Sequence, residues 1–139
     1  MTGSTWILGV RVAGCLHFVT IVFACFTPIP PDWEANLAKL PPVHRRFSIA
    51  QNFSIGAMIA VLGLLSLGFA PVLVSGVPLA RAVCGVTALF WGGRALVLPW
   101  IGVRPTLTTP TLRFGYVLLL MECATYALAY GWLAIRATR

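Results

Sequence analysis

Apolar residues run along this chain in four long blocks, 6–26, 47–70, 78–98 and 112–135, and most of the prolines and eight of the thirteen charged residues lie outside them. Each block meets or exceeds the ~20 residues that a helix needs to cross the hydrocarbon core of a bilayer. Together they use most of the chain. The longest remaining segment, 27–46, is too short and too rich in proline to bury a core of its own. The pattern therefore predicts an all-α membrane protein: an up-and-down four-transmembrane-helix bundle forming a single domain over 1–139. The short connection at 71–78 makes the second and third spans antiparallel, and the other connections are also short. Both termini and 71–78 then lie on one side, with 27–46 and 99–111 on the other.

The first connection has a pattern of its own. Asp32 is placed to cap a helix, and Trp33, Leu37 and Leu40 follow at helical spacing before Pro41 and Pro42 end it. A short amphipathic interfacial helix is expected there, with Trp33 as its aromatic anchor and a lid over a site as the alternative role. Small residues recur at contact spacing, Gly56 and Ala60 in the second span and Gly85, Ala88 and Gly92 in the third. They predict close helix packing, the usual means of association where lipid competes with every apolar contact. An echo between Arg46-Phe47-Ser48 and Arg113-Phe114-Gly115, each opening a span, is too short to define a repeat.

Composition agrees with this reading. Of 139 residues 59% are hydrophobic and 9% charged, against about 25% charged in ordinary soluble domains. A net charge of +7 in a soluble protein would suggest nucleic acid, but these cations are scattered beside and within apolar helices, so no continuous basic face exists to track phosphates. Cations near the two faces number four (Arg11, Arg81, Arg136, Arg139) against five (Lys39, Arg45, Arg46, Arg104, Arg113). The positive-inside bias therefore assigns no orientation. His44 with Arg45 and Arg46 reads as an interfacial cluster near lipid headgroups. Val12-Ala13-Gly14-Cys15 resembles a lipobox, yet the first cation is Arg11, inside the apolar run, so the first span reads as a retained helix rather than an export signal. Cys15, Cys25, Cys84 and Cys123 lack CxxC spacing and read as core fillers, with neither metal site nor disulfide expected.

The informative chemistry is inside the spans. Glu122 is one of only three acidic residues, and a carboxyl group at membrane depth is costly enough to mark a functional site by default. Arg94, in the preceding span, is its candidate partner. The first span adds His17 and Thr20, the second Ser48, Gln51 and Asn52, the third Thr87 beside Arg94, and the fourth Thr125 and Tyr126 beside Glu122, each set at helical spacing. At ~1.5 Å of rise per residue, Glu122 lies roughly 15 Å from the loop-side end of its span, His17 roughly 14 Å, Arg94 roughly 8 Å and Gln51 roughly 6 Å. One shared polar interior is expected.

Four readings of that interior stay open. In the first, a buried Arg94–Glu122 pair fixes helix register without chemistry. In the second, an amphipathic, lipid-, isoprenoid- or quinone-like molecule is bound by Arg94, Gln51, Asn52 and Tyr126, with Trp91, Phe90 and Phe18 as walls. In the third, Glu122 and His17 act as acid and base on a hydrophobic substrate, in an isomerisation or cyclisation. The fourth is proton-coupled transport through Glu122. Small multidrug exporters also have four spans, but they carry their acidic residue in the first helix, where this chain has none. Haem through His17 and His44 is not expected, because His44 lies beyond Pro42 at the interface. No cofactor is expected. The preferred reading is a non-catalytic binding or accessory protein for a hydrophobic ligand or membrane partner, with an enzyme as the alternative. The bilayer, a lipid-like molecule, and a second copy or another membrane protein are the candidate partners.

Pro78-Leu79-Ala80-Arg81-Ala82, Phe90-Trp91-Gly92-Gly93-Arg94 and Tyr130-Gly131-Trp132-Leu133-Ala134 together resemble a family of small four-span bacterial membrane proteins known mainly as hypothetical proteins. The resemblance runs over roughly the last hundred residues. It implies a bacterial inner (plasma) membrane and four spans, gives weight to Trp91 and Arg94, and brings no activity. Where that family carries further aromatic residues early in the second span, this chain has Gln51, Asn52 and Phe53.

Overall fold

The computed structural model describes residues 3–26 and 32–136. Pro28, Pro30, Pro31 and Arg139, which entered the reading of the loop and of the charges, lie outside the described residues. Six α-helices follow one another: α1 (Gly3–Phe26), α2 (Trp33–Ala38), α3 (Pro42–Gly68), α4 (Ala70–Ser75), α5 (Pro78–Trp100) and α6 (Pro110–Ile135), with a 3-10 turn at Arg104–Thr106. The four long ones are each long and apolar enough to cross a membrane. Among the described residues the fold is the expected all-α four-helix bundle, a multi-pass membrane protein.

Local chemistry explains most of the boundaries. Pro42, Pro78 and Pro110 stand in the first turn of their helices, where a missing N–H leaves nothing unsatisfied. The Thr109 side chain accepts from Leu112 N at 3.2 Å and caps α6. The helix of the first connection, α2, ends at Ala38, short of the expected Leu40, and Pro42 starts α3, so His44, Arg45 and Arg46 belong to that helix rather than to the loop. The connection at 71–78 differs from expectation, because most of it is helical. In α4 Ala70, Leu73 and Val74 are buried, and Gly76 (φ 78°) then makes the left-handed turn that a side chain would resist. Asp32 precedes α2 as expected but does not cap it: it adopts φ 60° and makes no side-chain bond to the helix.

The bundle is two hairpins. α1 packs on α3 and α5 on α6, while α4 touches both α1 and α5. Glycine permits the first pairing. A Cβ on Gly14 would stand 3.0 Å from the Gly63 carbonyl oxygen and from Leu67 N, and one on Gly63 would stand 2.9 Å from the Phe18 ring. This crossing was not among the expected contacts, and Gly56, which was, faces open space. The third-span positions do pack as expected, Gly85 against Ala134, Ala88 against Gly131 and Gly92 against Ala127. Those pairs define an antiparallel register in which α6 begins beyond the end of α5, and Val103 and Leu107 fold back to pack on Tyr116.

Polar bonds join the hairpins. Ser66 of α3 and Tyr130 of α6 share a 2.5 Å hydrogen bond, and the Tyr126 hydroxyl oxygen lies 3.4 Å from Ala13 O. Cations close the terminal side: Arg81 Nε donates to Ala134 O at 2.8 Å, and Arg136 donates to Val74 O while its guanidinium lies 5.8 Å from the Trp6 ring centre. Each satisfies a carbonyl in the last turn of a helix, where the helix dipole also favours positive charge. The outside of the bundle is greasy: Leu89, Leu96 and Leu128 are 77%, 78% and 75% exposed, a surface suited to lipid.

Candidate functional site

The site forms where the two hairpins meet, around His17. This imidazole is fully buried. Its Nδ1 lies 2.6 Å from Ala13 O, one turn earlier in α1, and the Trp91 indole donates to its Nε2 over 3.1 Å. The tautomer follows from the partners. A carbonyl can only accept and an indole N–H can only donate, so His17 carries its proton on Nδ1 and is neutral. Tyr126 stacks on the ring at 4.4 Å and Trp91 meets it edge-on at 5.2 Å, with Phe90 against Trp91 in turn at 5.3 Å. His17, Trp91 and Tyr126 therefore form an aromatic core in which both imidazole nitrogens are occupied.

Glu122 lies one turn before Tyr126 and is half-buried. Its Oε1 accepts two hydroxyls, from Tyr126 at 2.9 Å and from Thr20 across the hairpin interface. Both of these bonds fall on the same carboxylate oxygen.

The expected ion pair is not there. Among the described residues no carboxylate lies within 4 Å of the Arg94 guanidinium, and its buried Nε–H has no acceptor. Arg94 instead leans over Trp91, 5.9 Å from the ring centre. The cause is local, since Thr20 and Tyr126 already hold Glu122 while the indole holds the guanidinium. The two charges nevertheless share one region. The α5–α6 register sets Arg94 level with Thr125, so only three residues, roughly 4.5 Å of rise, separate it in height from Glu122. Both act electrostatically on the Cys123 thiol. Arg94 is thus deeper than its distance from the span end implied, because α5 and α6 do not end level.

Gln51 and Asn52 were expected in the same interior and are exposed on α3 instead. The buried residues of α3 begin only at Ile59. The residues before it are mostly exposed, and Gln51 lines an open surface groove with Phe47, Ala50, Ser54 and Ile55. Thr87 is buried but bonds back to Val83 O within its own helix at 2.8 Å, and Thr125 does likewise to Met121 O. His44 is exposed on α3, and the Nε2 that His17 would offer a metal is taken by Trp91. Among the described residues no group of His, Cys, Asp and Glu could hold a metal ion.

Beside this cluster, between α1 and α6, is an apolar cavity of about 250 Å³, half-open to the outside of the bundle, lined by residues from Trp6 to Leu16 and from Thr125 to Leu133. Sequence reasoning did not find it. Comparison of the chain with family models, curated proteins and solved structures yields no match.

Proposed function

We propose that this protein binds an amphipathic, lipid-like molecule within the membrane, and that Arg94 and Glu122 hold its polar end. The observation that carries the reading is the state of these two residues. Each is a charged type at membrane depth, where a missing partner costs most, and neither uses the other. A buried donor without an acceptor calls for an explanation. A ligand that presents an acceptor to Arg94 Nε–H and a donor to Glu122 supplies one. Because the two residues carry opposite charge, such a head group is zwitterionic or neutral and bifunctional rather than a simple anion.

The engagement of both His17 nitrogens favours binding over acid–base catalysis, since His17 would have to release Trp91 before taking a proton. Its role in this reading is to orient Trp91 and Tyr126. The membrane concerned, in the same proposal, is a bacterial inner membrane, as the family resemblance implies. Native-membrane purification tests the proposal. Extracts of the folded wild-type protein, analysed by mass spectrometry, should contain a stoichiometric amphiphile, and Glu122→Gln, inserted and folded, should lose most of it. Equal retention by both proteins overturns the reading, and conversion of the retained molecule by the purified protein replaces it with the enzymatic one.

A further inference from the structure

Two helices that each prefer another neighbour leave a gap between them. α1 is drawn to α3 by the Gly14–Gly63 crossing and α6 to α5 by its small-residue contacts, so α1 and α6 meet mainly through side chains. The gap is the 250 Å³ cavity, with Gly9, Val10 and Ala13 on one wall and Ala129 and Leu133 on the other. Its polar end is defined by one residue. Tyr126 lines the cavity, and its hydroxyl donates to Glu122 Oε1. From Tyr126 to Leu133 the cavity follows roughly 10 Å of helix.

We infer that this cavity holds the apolar tail of the molecule whose head lies at Glu122, so that the ligand is a single-chain amphiphile entering sideways from the lipid between α1 and α6. The inference rests on the binding role proposed for Arg94 and Glu122. An apolar gap of this size beside lipid is not left empty, because its walls would forfeit their dispersion contacts. The volume falls below the roughly 300–1,000 Å³ of a pocket that encloses a whole drug-sized molecule. It therefore suits one chain rather than a two-chain lipid. Continuity through Tyr126 ties the chain to the Glu122 head site rather than to bulk lipid.

Gly9 supplies the test. A Cβ there meets nothing within 4 Å, so Gly9→Phe fills the cavity without displacing protein atoms. The probe is N-decylglycine with a diazirine at the chain end, offering a carboxylate to Arg94 and an ammonium to Glu122. It is photolysed with the full-length protein in phosphatidylcholine nanodiscs, and the adducts are mapped by mass spectrometry. Saturable labelling is expected on Trp6, Gly9, Val10 or Leu133. Gly9→Phe should reduce it at least fivefold while leaving unlabelled N-butylglycine, measured by saturation-transfer NMR, bound as before. Labelling that is scattered over lipid-facing positions, or unchanged by Gly9→Phe, overturns the inference while N-butylglycine binding still upholds the head site. Loss of N-butylglycine binding in the wild-type protein itself overturns both.

Discussion

His17 looks from sequence like a candidate proton carrier and behaves in the structure like a keystone. The residue type was legible, and its role was not, because that role depends on which atoms come to face its two nitrogens after packing. Trp91 and Ala13 occupy them. Removing one partner of a buried hydrogen bond leaves the other unsatisfied, at about 1–3 kcal/mol. His17→Phe and Trp91→Phe should therefore each destabilise the solubilised protein by about that amount, and the double variant by less than the sum, as read by thermal or denaturant unfolding. Additive losses would show that the bond contributes nothing. At Glu122 the polar partners share a similar history: Thr20 and Tyr126 were visible as polar residues at suitable spacing, but their convergence on a single oxygen was not.

Elements were legible where pattern decides them and illegible where shape does. Block length located all four spans, while α3 and α6 start earlier than their apolar blocks, at Pro42 and Pro110. Helix pairing was another matter. The glycine spacing picked out Gly85, Ala88 and Gly92 correctly, yet equally small Gly56 lies on an open face, and the tightest crossing uses Gly14 and Gly63. Spacing cannot say which of several small faces is the one turned inward. Gly63→Ala should cost about 1–3 kcal/mol by overpacking, because backbone atoms of α1 cannot yield. Gly56→Ala should leave stability unchanged or slightly raise it through helix propensity. Unfolding midpoints of the two variants in the same detergent compare these directly. The same element-scale reason removed Gln51 and Asn52 from the site: polar spacing placed them on a stripe, but that stripe is exposed and the buried residues of α3 begin only at Ile59.

At the scale of the whole molecule, one apolar core runs through both hairpins, from Val10, Ile59 and Leu62 to Cys84, Trp91, Cys123 and Leu133, and hydrogen bonds and aromatic contacts cross between them as well. The hairpin arrangement also brings an arginine with an unsatisfied Nε–H, a carboxylate held by two hydroxyls and an apolar groove to one region. It also fixes topology. Single cysteines introduced at Ser75 and Arg136, in a background without native cysteines, should react with an impermeant maleimide from one side of sealed vesicles, and those at Lys39 and Thr106 from the other. A mixed result would contradict the up-and-down arrangement. The whole-molecule arrangement was legible from sequence, since connection length dictates it. That shared region was not, because it arises from which hairpins form, and that follows from the glycine crossing.

The central claim is that Arg94 and Glu122 face a ligand and not each other. A double-mutant cycle on ligand-free protein, with Arg94→Met, Glu122→Gln and the pair together, measures this most directly. The account predicts weak coupling in unfolding free energy, about 1 kcal/mol or less, as for neighbouring groups that share surroundings without being paired. A coupling of about 3 kcal/mol or more, with the double variant rescuing the single ones, would mean a buried structural ion pair and would contradict it.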